Sequence, residues 1–293
     1  MTGRPAQIAL LTNPTSGKGK GARARTAALA RFAEAGVAVR SLEGRDAAEA
    51  LDLAREVVAA GTETLVVVGG DGMANLGAQA VAGTSTVLGL IPAGTGNDVA
   101  RYLGLPRKDP RAAAERLLAG RTRSIDLARS GDQHFVTVLA AGFDAIVNER
   151  ANQMTWPRGQ MRYNIATLAE LRTFEPLPYT LDLDGEARSL EAMLVAVGNG
   201  PSFGGGLRIT EGALLDDGLL DVVVIKPMSK LGLVKTYPKL FRGTHTTHAA
   251  YEHHRVRSVT IAAPGIVSYA DGERFGALPL TVECAPGALT VLC

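Results

Sequence analysis

VVVGGDGMANL, residues 66–76, sets three glycines and one aspartate directly after an apolar run. The run, TLVVVG, suits a strand buried on both faces, as central parallel strands are. Its glycines have two readings. In one, Gly69 and Gly70 end the strand and Gly72 makes a turn, because Asp-Gly is a common turn pair. In the other, the glycines present backbone N–H groups to a phosphate, and Asp71 manages a cation or a hydroxyl beside it. The rest of the chain decides between them.

On either side of this stretch the chain alternates strand-like and helix-like segments. QIALLT (7–12), VAVRSL, TLVVVG and TVLGLIP (86–92) read as strands. Between them, residues 21–36 and 47–61 read as helices, each ending in glycine. Strands joined by helices of this length imply right-handed crossovers and a doubly wound parallel sheet. After RTRSIDLA (121–128) the rhythm becomes one of shorter strands with Gly or Pro turns, interrupted by helical patterns at 162–174 and 229–243. The expected organisation is α/β plus β. Residues 1–125 form a parallel-sheet nucleotide domain and residues 126–293 a mostly antiparallel β domain, whose last strand is free to pack back on the first.

A chain of 293 residues has room for two domains. Its 46% hydrophobic and 20% charged residues are globular rather than disordered proportions. The net charge of +2 gives no basis for nucleic-acid binding. Two cysteines, Cys284 and Cys293, make no disulfide framework, so a reduced cytoplasmic setting is expected. No apolar run approaches the ~20 residues that span a bilayer, which limits membrane contact to a peripheral kind.

Three loops follow strands of the first domain: NPTSGKG, GGDGMAN and PAGTGND. In a parallel sheet, ligands bind at the carboxyl ends of strands, so the three share one edge. Their convergence points to a phosphate site. Neither the spacing of a standard P-loop nor a GxGxxG dinucleotide fingerprint is present.

Here a resemblance becomes specific. NPTSGKG, GGDGMAN and LGLIPAGTGNDVARYLGLP resemble the catalytic domain of the diacylglycerol kinase superfamily, whose usual forms are NPxSGxG, GGDGTxNE and PxGTxNDfAR. AAGFDAIVNE, VGNGPSFGGGLRITEGALLDDGLLDVVVI and YADGE continue the match in order through the second domain. Within that superfamily the motifs resemble those of the soluble bacterial YegS-like lipid kinases. The resemblance implies an ATP-binding α/β domain, a β-rich lipid-binding domain and an active site in the cleft between them. The NAD kinases also carry GGDG in a two-domain chain, but the second-domain motifs belong to the lipid group.

Phosphoryl transfer needs a phosphate cradle, a cation and a proton acceptor. Asn13, Ser16, Gly17, Gly69, Gly70, Gly72, Asn75, Gly94, Thr95 and Asn97 fit the cradle for ATP. Asp71 or Asp98 could hold catalytic Mg²⁺ through water, and Asp98 reads equally well as a helix N-terminal residue. The resemblance places Asp271 and Glu273 of YADGE in the active site. By itself YADGE reads equally well as an Asp-Gly hairpin turn or as an extended segment, in which the two side chains would share one face and push each other's pKa values apart, with Asp271 the expected proton acceptor and Glu273 its partner. The resemblance also implies a structural Mg²⁺ on Asp217 with the carbonyls of Leu214 and Leu219.

Two positions depart from the usual GGDGTxNE. Met73 stands for a hydroxyl residue and so removes a possible phosphate donor, and Leu76 stands for an acid. Thr210 and Glu211 stand where a proline is common. HTTHAAYEHH, with four of the five histidines, reads as a solvated loop rather than a metal site, and Trp156 as packed in the second domain's core in preference to lining a lipid cleft or a membrane interface. The function implied is an ATP-dependent lipid kinase acting on diacylglycerol, phosphatidylglycerol or a sphingoid base. The alternatives are a non-catalytic nucleotide- or lipid-binding regulator and an NAD kinase. The oligomeric state is open, a homodimer included.

Overall fold

The computed structural model describes residues 5, 7–12, 19–142, 147, 150, 153–156, 166 and 175–293. The first four strands, β1 (Gln7–Thr12), β2 (Ala38–Glu43), β3 (Thr64–Gly69) and β4 (Val87–Pro92), lie in the order β2-β1-β3-β4, and all pairs are parallel. Every residue of β3 is buried, as a strand covered on both faces must be. The helices that cover it are α1 (Lys20–Glu34), α2 (Ala47–Ala59), α3 (Asp71–Val81), α4 (Asp98–Tyr102) and α5 (Pro110–Leu118). Ala24, Ala28 and Phe32 form the buried stripe of α1 at helical spacing. In α2, the Asp46 carboxylate accepts from Glu49 N at 2.9 Å while Glu49 reaches back to Arg45 N at 2.6 Å, which fixes where the helix begins. Pairing of α1 with α5 and of α2 with α3 puts helices on both faces.

The second half follows from alternation. β7 (Val138–Gly142), β10 (Leu194–Gly198), β11 (Leu220–Ile225), β12 (Tyr251–Val256), β14 (Val267–Ala270) and β15 (Glu273–Ala277) form an antiparallel sheet in the order β12-β11-β10-β7-β14-β15. It stacks on β8 (Leu177–Leu183), β9 (Glu186–Ala192) and β13 (Ser258–Ala262) through a core that includes Leu139, Leu181, Val195, Val222, Val259 and Val282.

Those last three strands belong to the first domain's sheet. β16 (Leu280–Leu292) lies between β4 and β13, parallel to β4 at Val291–Leu88 and antiparallel to β13. It also pairs with β5 (Thr122–Ser130), which carries the hairpin partner β6 (Gln133–Phe135). One ten-stranded sheet therefore runs through both halves, and Asp126 lies inside β5.

Several local expectations change. The histidine-rich stretch is not a solvated loop. His245 is buried in a 3₁₀ turn, while His253 and His254 lie on β12, where His253 Nε2 meets the buried Asp221 carboxylate at 2.6 Å. Trp156 is 77% exposed rather than packed in a core. The helix expected at 162–174 falls outside the described residues. The one at 229–243 is α6 (Lys230–Leu240), capped by Ser229 Oγ, which accepts from Gly232 N. No helix among the described residues is long and apolar enough to cross a membrane.

Because β16 joins the two halves, a cavity in it should weaken both. Leu289→Ala removes a side chain that is 1% exposed and is expected to cost about 2–5 kcal/mol. Urea unfolding should show a lowered midpoint with both halves melting together.

Candidate active site

The second and third glycine loops meet at the carboxyl edge of β3 and β4. Asn13, Ser16 and Gly17 lie outside the described residues, but the other two loops interlock. A Cβ added to Gly94 would sit 2.4 Å from Gly70 Cα, and one added to Gly96 would sit 2.4 Å from Asp71 Oδ2. Only hydrogen fits there. Gly69 ends β3, Gly70 caps α3 in an extended conformation, and Asp71 and Gly72 form its first turn. Met73 N already donates to Gly70 O at 3.1 Å, so the N–H groups of Asp71 and Gly72 are the first-turn donors without a helical partner, suited to an anion.

Asn97 adopts a left-handed conformation, φ 53°. Its side chain closes the turn by accepting from Gly94 N at 3.0 Å and donating to Gly94 O at 2.9 Å, which leaves Thr95 exposed at the tip. The backbone N–H groups of Asn97 and Asp98 then donate to the two Asp71 oxygens at 2.8 and 2.6 Å. Burial, and secondarily the Asp98 charge, push the Asp71 pKa up to about 6 despite those two donors.

Asp98 is 3% exposed and reaches into the second half of the chain. It accepts from Ser202 Oγ at 3.0 Å and Gly205 N at 2.7 Å, and it pairs with Arg101. Arg101 Nη2 also donates to Gly96 O and Gly205 O, each at 3.1 Å. Gly204, Gly205 and Gly206 all have positive φ, which is why three consecutive glycines stand here. Sequence reasoning missed Arg101, Ser202 and Gly205. The only local signal was the arginine three residues beyond Asp98, at a spacing that faces it on a helix.

Asp271 and Glu273 are not on one face of an extended strand. Asp271 (φ 52°) and Gly272 (φ 88°) form the turn between β14 and β15, and Glu273 begins β15. The Asp271 carboxylate, 8% exposed, accepts from Asn75 Nδ2 at 2.9 Å, Val136 N at 2.8 Å, Thr137 N at 2.8 Å and Thr137 Oγ1 at 2.5 Å. Four donors occupy its lone pairs. Glu273 is exposed, and its Oε1 lies 3.3 Å from where a Gly72 Cβ would stand, so it faces the start of α3. Burial of its carboxyl raises its pKa. Asp271 adds a smaller share to the rise at Asp71.

The implied structural Mg²⁺ site does not fit the arrangement seen. Asp217 accepts from Leu219 N at 3.1 Å through one oxygen and pairs with Arg255 through the other, and Leu214 is 48% exposed. A cation would have to displace the guanidinium. The Asp126 oxygens accept from Gly218 N and Gly287 N, each at 2.7 Å, which ties this turn to β5 and β16.

The departures at 73 and 76 are core substitutions. Met73 and Leu76 are 5% and 8% exposed, packed with β3 and β4 side chains away from the cleft. Thr210 fills the space over Gly198 and donates to Gly200 O at 2.7 Å.

The parallel sheet with interlocked glycine loops, joined to an antiparallel sandwich that brings its own carboxylates to the same cleft, is a diacylglycerol-kinase-like fold. Residues 7–130 match the diacylglycerol kinase catalytic domain, and residues 137–293 match the YegS C-terminal NAD kinase beta sandwich-like domain. A diacylglycerol kinase of Mycobacterium tuberculosis is 44% identical over 98% of this chain and 94% of its own length. A crystal structure from Bacillus anthracis superposes with TM-score 0.83 at 24% identity, over 100% of this chain and 96% of that one, a likeness that shows the fold. A second, of a diacylglycerol kinase from the same species, gives 0.80 at 26% identity over 98% and 96%. The chain belongs to the diacylglycerol kinase family, with the YegS-like lipid kinases.

The raised Asp71 pKa has a stability consequence. An acid whose pKa is higher folded than unfolded contributes stability below its unfolded pKa, and that contribution is lost as pH rises through the folded one. The stability of wild type relative to Asp71→Asn should therefore fall between pH ~4 and ~6, by about 2–3 kcal/mol. Urea titrations at a series of pH values measure it, and a flat difference would refute it.

Proposed function

We propose that this protein transfers the γ-phosphate of ATP to a lipid hydroxyl, with Glu273 as proton acceptor. The observation that carries the reading is the contrast between the two carboxylates of the DGE turn. Asp271 is saturated by four donors and stays put, whereas Glu273 is accessible, has its pKa raised by burial and faces the phosphate-type loop at Gly72. A base with its pKa shifted toward neutrality and free lone pairs is the better acceptor. Asp271 serves instead as a positioning residue, holding Asn75 and the 136–137 backbone together.

The lipid oxygen loses its proton to Glu273 and bonds to the γ-phosphorus, the bond from that phosphorus to the β,γ-bridging oxygen breaks, and ADP leaves. The N–H groups of the first turn of α3 and of the turn at 94–97 would hold phosphate oxygens. Asp71 is the residue suited to Mg²⁺ held through water, because its carboxylate stands in the first turn of α3, beside the glycine turn at 94–97 and close to the charge of Asp98. That ion would offset the charge on the phosphates. Glu273 takes the proton and Asp98, locked by Arg101, fixes the loop. Diacylglycerol is the first acceptor to try, since the relatives from Mycobacterium tuberculosis and Bacillus anthracis carry that name. Phosphatidylglycerol and sphingoid bases share the accessible hydroxyl that the mechanism needs. Met73 and Leu76, which motivated a regulator without turnover, are buried members of the hydrophobic core.

The test is transfer of labelled γ-phosphate from ATP with Mg²⁺ onto diacylglycerol, phosphatidylglycerol, sphingosine and NAD. Label is expected on a lipid, and Glu273→Gln should lower kcat roughly 10²–10⁴-fold. The acid limb of the wild-type pH profile should lie above the usual carboxylate range and vanish in Glu273→Gln. Label on NAD, or an unimpaired Glu273→Gln, would overturn the proposal.

A further inference from the structure

Alone among the described helices, α6 buries no residue completely. Leu233, Tyr237 and Leu240 hold it to the protein by packing against the cluster that contains Phe203, Leu207, Ile209 and Val223. At 100° per residue these three share one face. The exposed flank carries Leu231 (62% exposed), Val234 (47%) and, just beyond the last turn, Phe241 (45%), whose ring meets Tyr237 edge-on. Beside that apolar stripe stand Lys235, Lys239 and Arg242, all exposed and without an ion pair among the described residues.

An outward apolar stripe bordered by cations is the signature of a helix that lies in a lipid–water interface. The segment from Lys226 to Gly243 contains five cations and no acid, whereas the whole chain carries only +2, so the rest of the molecule is net negative. A second copy of α6 would set like charges against each other. An anionic bilayer complements both the cations and the stripe.

The place of the helix also matters. Leu240 O accepts from Arg208 N at 3.0 Å, and three residues earlier Gly205 N donates to Asp98. The end of α6 is thus tied to the segment that locks the candidate active site. We propose that α6 and Phe241 dock this protein on anionic lipid bilayers, with Leu231, Val234 and Phe241 entering the interface and Lys235, Lys239 and Arg242 facing the headgroups. The benefit of such docking rests on the lipid-kinase reading, but the docking itself does not.

Co-sedimentation with vesicles of phosphatidylcholine, with and without about one-third phosphatidylglycerol, tests it. Wild type should bind the anionic vesicles, and added salt should weaken the binding. Lys235→Gln with Lys239→Gln should lower partitioning roughly 30-fold, and Leu231→Ser with Val234→Ser should abolish it. As a second readout, Leu231→Trp in a Trp156→Phe background should show blue-shifted emission on anionic vesicles. Unchanged partitioning of the charge variant, or an unmoved indole emission from Leu231→Trp while the protein sediments, would overturn the proposal. So would a wild-type dimer that the α6 variants convert to monomer, because α6 would then be a contact between copies. Phosphorylation of a short-chain diacylglycerol dispersed below its micelle concentration should be the same in the α6 variants as in wild type. Docking without any phosphate transfer would leave this proposal standing and remove the kinase reading. Transfer with docking indifferent to α6 would do the reverse.

Discussion

The pairing of β16 with strands from both halves is the constraint on which the site depends. Its end lies parallel to β4, its start antiparallel to β13, and β5 pairs along much of its length. A hinge between two independent domains would leave the cleft width free. A shared sheet fixes it, so the turn at Asp271 and the start of α3 meet at hydrogen-bond distance across 196 residues of sequence. The Asn75–Asp271 contact is thus a product of strand register, and a one-residue slip in β16 would undo it.

Within that fixed cleft, the four carboxylates have been given different environments. Asp98 is neutralised by Arg101, Ser202 and Gly205 N. Asp271 is held by four donors. Asp71 has two backbone donors and still rises to about 6, because burial and Asp98 outweigh them. Glu273 has burial alone acting on it. Groups whose surroundings hold them firmly do the positioning, and those left with raised pKa values are the ones able to change protonation or attract a cation.

The parts legible in the sequence were those governed by local chemistry. TLVVVG declared a doubly covered strand, and the glycines at 70 and 94 declared close backbone contact, because a Cβ on Gly94 would run into Gly70 Cα. What depended on distant pairing was not legible. DGE left a turn and an extended segment open until the left-handed Asp271 showed the turn, and nothing near LLDDGLLD announced that Arg255, from β12, pairs with Asp217. The histidines of β12 looked solvated because nothing nearby announced Asp221 as a buried partner. Trp156 misled for the opposite reason, since size alone suggested burial and its neighbours do not supply it.

The distribution of charge joins these features. The cleft gathers Asp71, Asp98, Asp271 and Glu273 with Arg101 as the guanidinium that answers Asp98, while α6 gathers cations with no acid among them. A near-neutral chain has separated its charge into an acidic cleft and a basic helix, connected by the few residues between Gly205 and Arg208. Negative charge in the cleft would repel an anionic nucleotide unless a cation came with it, and would equally repel the headgroups of an anionic bilayer. Cations on α6 counter the second repulsion without entering the first, because at physiological salt a charge is felt over only ~8 Å. Separating the two signs keeps the cations of α6 on the outer surface and out of the acidic cleft.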